Sequence, residues 1–145
     1  MAIEISEVRR RLRSAIEEAR RHEAARRGRR DAAARDYEQF LSSIAIPVVQ
    51  AMANALSGEG HQFRVETPSG SVRLTSGHSN EDFIEITLDT SQDPPEVVGR
   101  TSRGRGRRMI ATERPVRDRT AVAELNDEDV LAFLLTEIIP FLSRR

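Results

Sequence analysis

The chain has 145 residues with 23 basic and 23 acidic side chains, so its zero net charge gives no general case for a nucleic-acid or membrane partner. It contains no cysteine, which excludes disulfides, a thiol nucleophile and thiolate metal sites. This length predicts one domain that can bury its own core. The high share of charged residues, 32% against 38% hydrophobic, indicates an additional solvated segment.

The charge is distributed unevenly along the chain. Residues 1–35 hold 11 arginines and six acidic residues, whereas residues 36–99 hold two arginines and ten acidic residues. Residues 100–145 again are basic, with ten arginines and seven acidic residues, and no basic residue of the chain is a lysine. Segments of opposite charge are suited to long-range steering or to self-association.

Residues 3–27 predict an amphipathic helix with one narrow apolar seam. The seam residues recur at the three- and four-residue steps of a short heptad pattern, and they are Ile5, Val8, Leu12, Ile16 and Ala19. Because the rest of this helix is polar, the seam needs a partner, either another copy of the chain or a neighbouring helix. We expect residues 1–35 to project and to oligomerise, most simply as a homodimer, and residues 36–145 to form an α+β domain.

The most apolar stretch of the first half, residues 37–57, predicts a buried helix that lies against a sheet. The stripe expected to face the sheet consists of Tyr37, Leu41, Ile44, Val48, Ala51 and Ala55. We expect an almost continuous helix from about residue 3 to residue 56. Gly28 and Pro47 are the positions where it can kink, since glycine weakens a helix and proline removes one of its hydrogen bonds.

From residue 61 the apolar period changes to two, which predicts strands. A hairpin around the turn 67–70 is followed by strands at 82–89, 96–101 and 107–113, and residues 119–125 are a candidate sixth strand. In the clearest strand we assign Ile84, Ile86 and Leu88 to the core and Glu85 to solvent. Short connections between successive strands predict an antiparallel meander with one covered and one solvated face.

The C-terminal helix has a strong start signal, because Asn126 can cap it and three acidic residues follow in its first turn. Pro140 is expected to kink or end this helix. The predicted fold class is α+β: a long N-terminal helix, a five- to six-stranded antiparallel meander sheet, and a C-terminal helix on the same sheet face.

An arginine-rich hairpin, residues 100–119, is the sharpest local feature. Its candidate contacts to nucleic acid or another anion are Arg100, Arg103, Arg105, Arg107, Arg108, Arg114, Arg117 and Arg119. No aromatic residues are interleaved to stack on bases. Two alternatives compete with this interpretation: a solvated hairpin tip that protects a sheet edge, and neutralisation by acidic residues of segment 36–99 in the same or another subunit.

No catalytic, cofactor or metal motif stands out. The three histidines lack a metal-ligand spacing, and the glycines of the hairpin lack the phosphate-loop pattern. Our hypothesis is a non-catalytic, self-associating interaction or scaffold module that presents a small α+β domain to a protein partner. A nucleic-acid-binding protein is the alternative, and an enzyme ranks third. We expect no cofactor and no membrane partner, and cytoplasmic residence, because neither a signal-peptide pattern nor a run of about 20 apolar residues occurs.

Overall fold

A computed structural model describes residues 2–143. Met1 of the expected segment 1–35, and Arg144 and Arg145 of the expected segment 36–145, lie outside the described residues. Helix α1 (Ile5–Phe40), a π-helical turn (Leu41–Ala45) and helix α2 (Ile46–Gly58) follow one another without interruption. Together they form a rod of 54 residues. At 1.5 Å per residue the rod is about 80 Å long. The expected continuous helix is therefore confirmed, and it passes through Gly28 unbroken.

The first half of α1 projects from the rest of the protein. Residues 2–29 are exposed except for Glu7, which is half-buried. The Arg29 guanidinium then donates two hydrogen bonds of 2.9 Å to the carboxylate of Asp93, in the loop before the fourth strand. Tyr37 and Phe40 are the first buried side chains of the rod within the described residues. This half of the helix thus lacks a core of its own.

The π turn rotates the buried stripe of the rod. A π turn holds more residues than an α turn, and it lies where Pro47 would press against the carbonyl of Ser43 in a regular helix. Beyond it, the buried residues of the rod are Ala45, Val49, Met52, Ala53 and Leu56. The predicted core stripe is accordingly wrong in its second half. There Ile44 and Val48 are only half-buried, and Ala51 and Ala55 are exposed.

The sheet is an antiparallel meander of five strands in the order β1-β2-β3-β4-β5. The strands are β1 (Phe63–Glu66), β2 (Ser71–Ser76), β3 (Phe83–Asp89), β4 (Glu96–Arg105) and β5 (Arg108–Pro115). β4 and β5 are longer than expected because they pair up to Arg105 and Arg108, through the arginine-rich hairpin.

The candidate sixth strand is wrong, since Val122–Glu124 forms a 3-10 helix instead. Arg119 has a φ of 54°, which is incompatible with an extended strand. Val122 and Leu125 are buried in the core. This segment therefore contributes apolar packing rather than another sheet edge.

The core lies between the inner sheet face and the helices. Ile84 and Ile86 are at most 2% exposed, which confirms their assignment, and Leu88 is half-buried. Gly99 lies beside Ile86 on β4, and a Cβ atom at Gly99 would be 1.9 Å from Cζ of Phe133. Because Gly99 has no side chain, the Phe133 ring can pack directly against the sheet.

The C-terminal helix packs on this same face, as expected. In α3 (Asp127–Glu137), the Asn126 side chain accepts a 3.0 Å hydrogen bond from the Asp129 N–H, and the Asp129 carboxylate accepts one of 3.0 Å from the Asn126 N–H. This reciprocal cap satisfies two backbone donors at the helix start. The helix is interrupted at Ile138, just before Pro140, and a last turn, α4 (Ile139–Leu142), follows.

The outer sheet face carries an alternating row of charges that crosses all five strands. Neighbouring positions in this row are Glu66, Arg73, Glu85, Arg100 and Glu113. Arg73 donates to Glu85 at 2.7 Å, and Arg100 donates to Glu113 at 2.6 Å. Glu85 is only 7% exposed, so its assignment to solvent is wrong. Long charged side chains on the adjacent strands cover it.

Candidate functional site

The apolar seam of α1 is open to solvent. Ile5 is 71% exposed, Val8 49%, Leu12 55% and Ile16 42%. At 3.6 residues per turn, the five seam residues fall within about 80° of the helix circumference. Large apolar side chains aligned along one face of a projecting helix form a surface for another helix or an apolar groove.

Charged residues cover much of the helix surface around the seam. Arg10 and Arg11 donate hydrogen bonds to the Glu7 carboxylate at 2.5 Å and 3.0 Å, and these bonds, that of Arg10 first, hold the pKa of Glu7 below its usual value. Arg9 and Arg13 form no ion pair within the described residues 2–143. The seam therefore carries basic side chains that are available to an acidic partner surface.

A second apolar surface is an open groove of about 750 Å³ between α2 and α3. Its apolar lining, which we call the α2/α3 groove, consists of Ile44, Pro47, Val48, Ala51, Met52, Ala55, Leu131 and Leu135. Asp127 and Glu128 lie at its rim. Leu135 is 52% exposed, so the groove is not closed by the protein's own side chains.

The apolar residues that line the α2 side of this groove are visible in the sequence, but their spacing predicts that they face the core. Residues 37–57 are apolar over so much of the helix circumference that they supply two stripes, one more than a single sheet can cover. The π turn decides which stripe faces the sheet. The stripe that runs through Ile44, Val48, Ala51 and Ala55 lines the groove instead.

The eight candidate arginines do not form one surface. Arg100 lies on the outer face of the sheet, and its hydrogen bond to Glu113 raises the pKa of this guanidinium. Arg114 lies on the opposite face, where it pairs with Glu137 and stacks 4.6 Å from the centre of the Phe133 ring.

Arg117 is the third paired arginine and reaches the carboxylate of Asp129 at 3.3 Å. The hydrogen-bonded counter-charges of these three arginines lie in residues 113–137, outside segment 36–99. Only at longer range do Glu85 and Asp89 of that segment favour the charge of Arg100.

The tip of the hairpin keeps four arginines together. Arg103, Arg105, Arg107 and Arg108 have no ion pair among the described residues. The turn depends on Gly106, whose φ of 64° favours glycine. At the base of the tip, the Gly104 N–H donates to the buried Asp82 carboxylate at 2.8 Å. Arg119, the remaining candidate, is exposed in the loop after β5.

No metal-ligand cluster of three or more histidine, aspartate or glutamate residues occurs within residues 2–143. The rod Ile5–Gly58 contains an 18-residue window with a mean hydropathy of 1.4, which meets the length and composition requirement for crossing a membrane. A third of that window is buried inside the protein, and core helices of soluble proteins meet the same requirement.

Comparison of the chain with protein-family models, curated proteins and solved structures finds no match.

Proposed function

We propose that this protein is a non-catalytic interaction module that self-associates through the seam of α1 and presents its α+β domain to a protein partner. The observation that carries this proposal is the row of exposed apolar side chains on a helix that extends away from its own domain. Exposing these side chains to water is unfavourable by about 25 cal/mol per Å² of apolar surface, so their burial against another chain stabilises an oligomer. A homodimer is the simplest arrangement.

The experiment is sedimentation equilibrium on the full chain and on two double variants. Val8→Ser with Leu12→Ser removes the centre of the seam, whereas Glu17→Ser with Arg21→Ser changes the opposite, polar face of the same helix. The seam variant should be monomeric and the control variant should retain the oligomer. Equal masses for the seam variant and the wild type would contradict a role of the seam in self-association.

A nucleic-acid-binding function is the second candidate, supported by the four hairpin-tip arginines that form no ion pair within residues 2–143. Such binding would be mainly electrostatic, so the logarithm of the affinity would fall linearly with the logarithm of the salt concentration. Replacing Arg103, Arg105, Arg107 and Arg108 with glutamine should then abolish binding at low salt without unfolding the sheet.

If the protein is instead an interaction module, we expect a different outcome of this experiment. Wild-type protein should show no binding to random duplex or single strands at physiological salt, because acidic partners neutralise three of the eight arginines. Tight wild-type binding at that salt concentration, lost in the glutamine variant, would favour the second candidate.

A further inference from the structure

The α1 seam and the α2/α3 groove resemble each other in length. The large seam residues run from Ile5 to Ile16, and the groove residues of the rod run from Ile44 to Ala55, so each stretch covers 12 residues. Both are about 17 Å long at 1.5 Å per residue. The seam residues Ile5, Val8, Leu12 and Ile16 have the spacing by which an amphipathic helix inserts into an apolar groove.

The charges at the edges of the two surfaces are complementary. Arg9 and Arg13 flank the seam, and Asp127 and Glu128 form the rim of the groove. None of these four side chains is in an ion pair within the part of the chain that the structure describes. Opposite charges at the edge of an interface favour docking and disfavour the pairing of one basic helix with another.

The seam cannot reach the groove of its own chain. The seam and the α2 side of the groove belong to the same continuous rod, Ile5–Gly58, and the chain does not turn between them. An occupant drawn from this sequence must therefore come from a second copy. We infer that the α2/α3 groove of one copy receives the α1 seam of another, an inference that rests on the proposed self-association and names its receiving surface.

A closed dimer fixes the direction of the two rods. For each seam to enter the other copy's groove, the rods must run antiparallel, since parallel rods offset in this way would form an open chain of subunits. Residue numbers of facing positions then sum to about 60 because Ile5 lies beside Ala55 and Ile16 beside Ile44. In this arrangement Leu12 faces Val48 of the second copy, and the two Leu12 residues are about 54 Å apart.

Single cysteines test this arrangement because the natural chain has none. Leu12→Cys and Val48→Cys proteins, one of them carrying a size tag, are mixed in equal amounts and oxidised. Seam-in-groove docking predicts a disulfide between the two variants and none between two Leu12→Cys chains, since disulfide formation needs Cα atoms within about 7 Å. Val8→Cys with Ala51→Cys provides a second facing pair, and Glu17→Cys with Val48→Cys is the control from the opposite helix face.

The outcomes separate this inference from the proposed function. A disulfide between two Leu12→Cys chains would show that seams pair with seams, which overturns the groove assignment but keeps self-association. A dimer by light scattering in which neither facing pair cross-links would overturn the groove assignment as well. A chain that stays monomeric at high micromolar concentration would overturn both.

Discussion

Substitution of Gly99 by alanine tests how tightly α3 packs on the sheet. The new Cβ atom would lie 1.9 Å from Cζ and 2.4 Å from Cε2 of Phe133, far inside van der Waals contact. The Phe133 ring is 2% exposed and has the Arg114 guanidinium 4.6 Å from its centre, so it has little freedom to move away. Either the ring leaves its rotamer or α3 shifts outward by more than an ångström.

Overpacking of a core costs about 1–3 kcal/mol, and we expect Gly99→Ala to lie at or above the upper end, near 3 kcal/mol. At about 2–4 °C per kcal/mol for a chain of this size, the midpoint of thermal unfolding should fall by about 6–12 °C. Circular dichroism during heating and urea titration measure both quantities.

The matched control is Gly104→Ala on the same strand, where the nearest atoms are Met109 Sδ at 3.7 Å and Asp82 Oδ1 at 3.8 Å. That change should alter the free energy of unfolding by no more than about 0.5 kcal/mol. Phe133→Leu should recover part of the stability lost by Gly99→Ala, which a double-mutant cycle would show as coupling between the two sites. Equal effects of the two glycine substitutions would refute the packing described for α3.

The remaining predictions concern single positions in the rod and in the sheet. Gly28→Ala should stabilise the protein by about 1 kcal/mol, measured by urea unfolding, because Gly28 lies inside α1 with open space around its Cα. Ile86→Ala should lower the free energy of unfolding by about 2–5 kcal/mol. Glu85→Ala should lower it by about 1–3 kcal/mol, since the change leaves Arg73 without its charged partner. An unchanged free energy of unfolding for Glu85→Ala would show that the buried Glu85 does not contribute to stability. Burial raises the pKa of Tyr37, the single tyrosine, to about 12. The native state then keeps a proton that the unfolded chain loses near pH 10, so the free energy of unfolding should fall between about pH 10 and 12. A midpoint near pH 10 for the tyrosinate absorbance of the folded protein would contradict the raised pKa of Tyr37.

The parts of the fold that local sequence determines were predicted. The alternation of Ile84 and Ile86 with polar residues places them on the covered face, and Asn126 followed by acidic residues marks the start of α3. The seam of α1 was also identified from spacing alone, and its residues are exposed in the structure.

The features that were missed depend on long-range geometry. The π turn before Pro47 changes which residues of the rod face the sheet. A regular α-helical period applied to residues 37–57 does not include this turn, so it predicts the wrong residues. Glu85 is buried because Arg73 and Arg100 occupy the neighbouring strands, which requires the register of the meander. The α2/α3 groove could be recognised only after both effects were known.

The alternating charge row pairs charged side chains of the outer sheet face with one another. Each of its inner members lies between two residues of opposite charge, so pairing is satisfied across the sheet. The row also uses Arg100, which sequence reasoning had placed in the arginine-rich surface. Because Arg114 and Arg117 are also paired, the available charge of the hairpin is reduced to the four arginines at its tip and Arg119.

The most direct test of the central proposal is the molar mass of the full chain in solution by light scattering at high micromolar concentration. Self-association through the exposed seam predicts twice the 16.3 kDa of one chain, falling towards the monomer mass on dilution. A constant mass of 16.3 kDa across that concentration range would contradict the proposal.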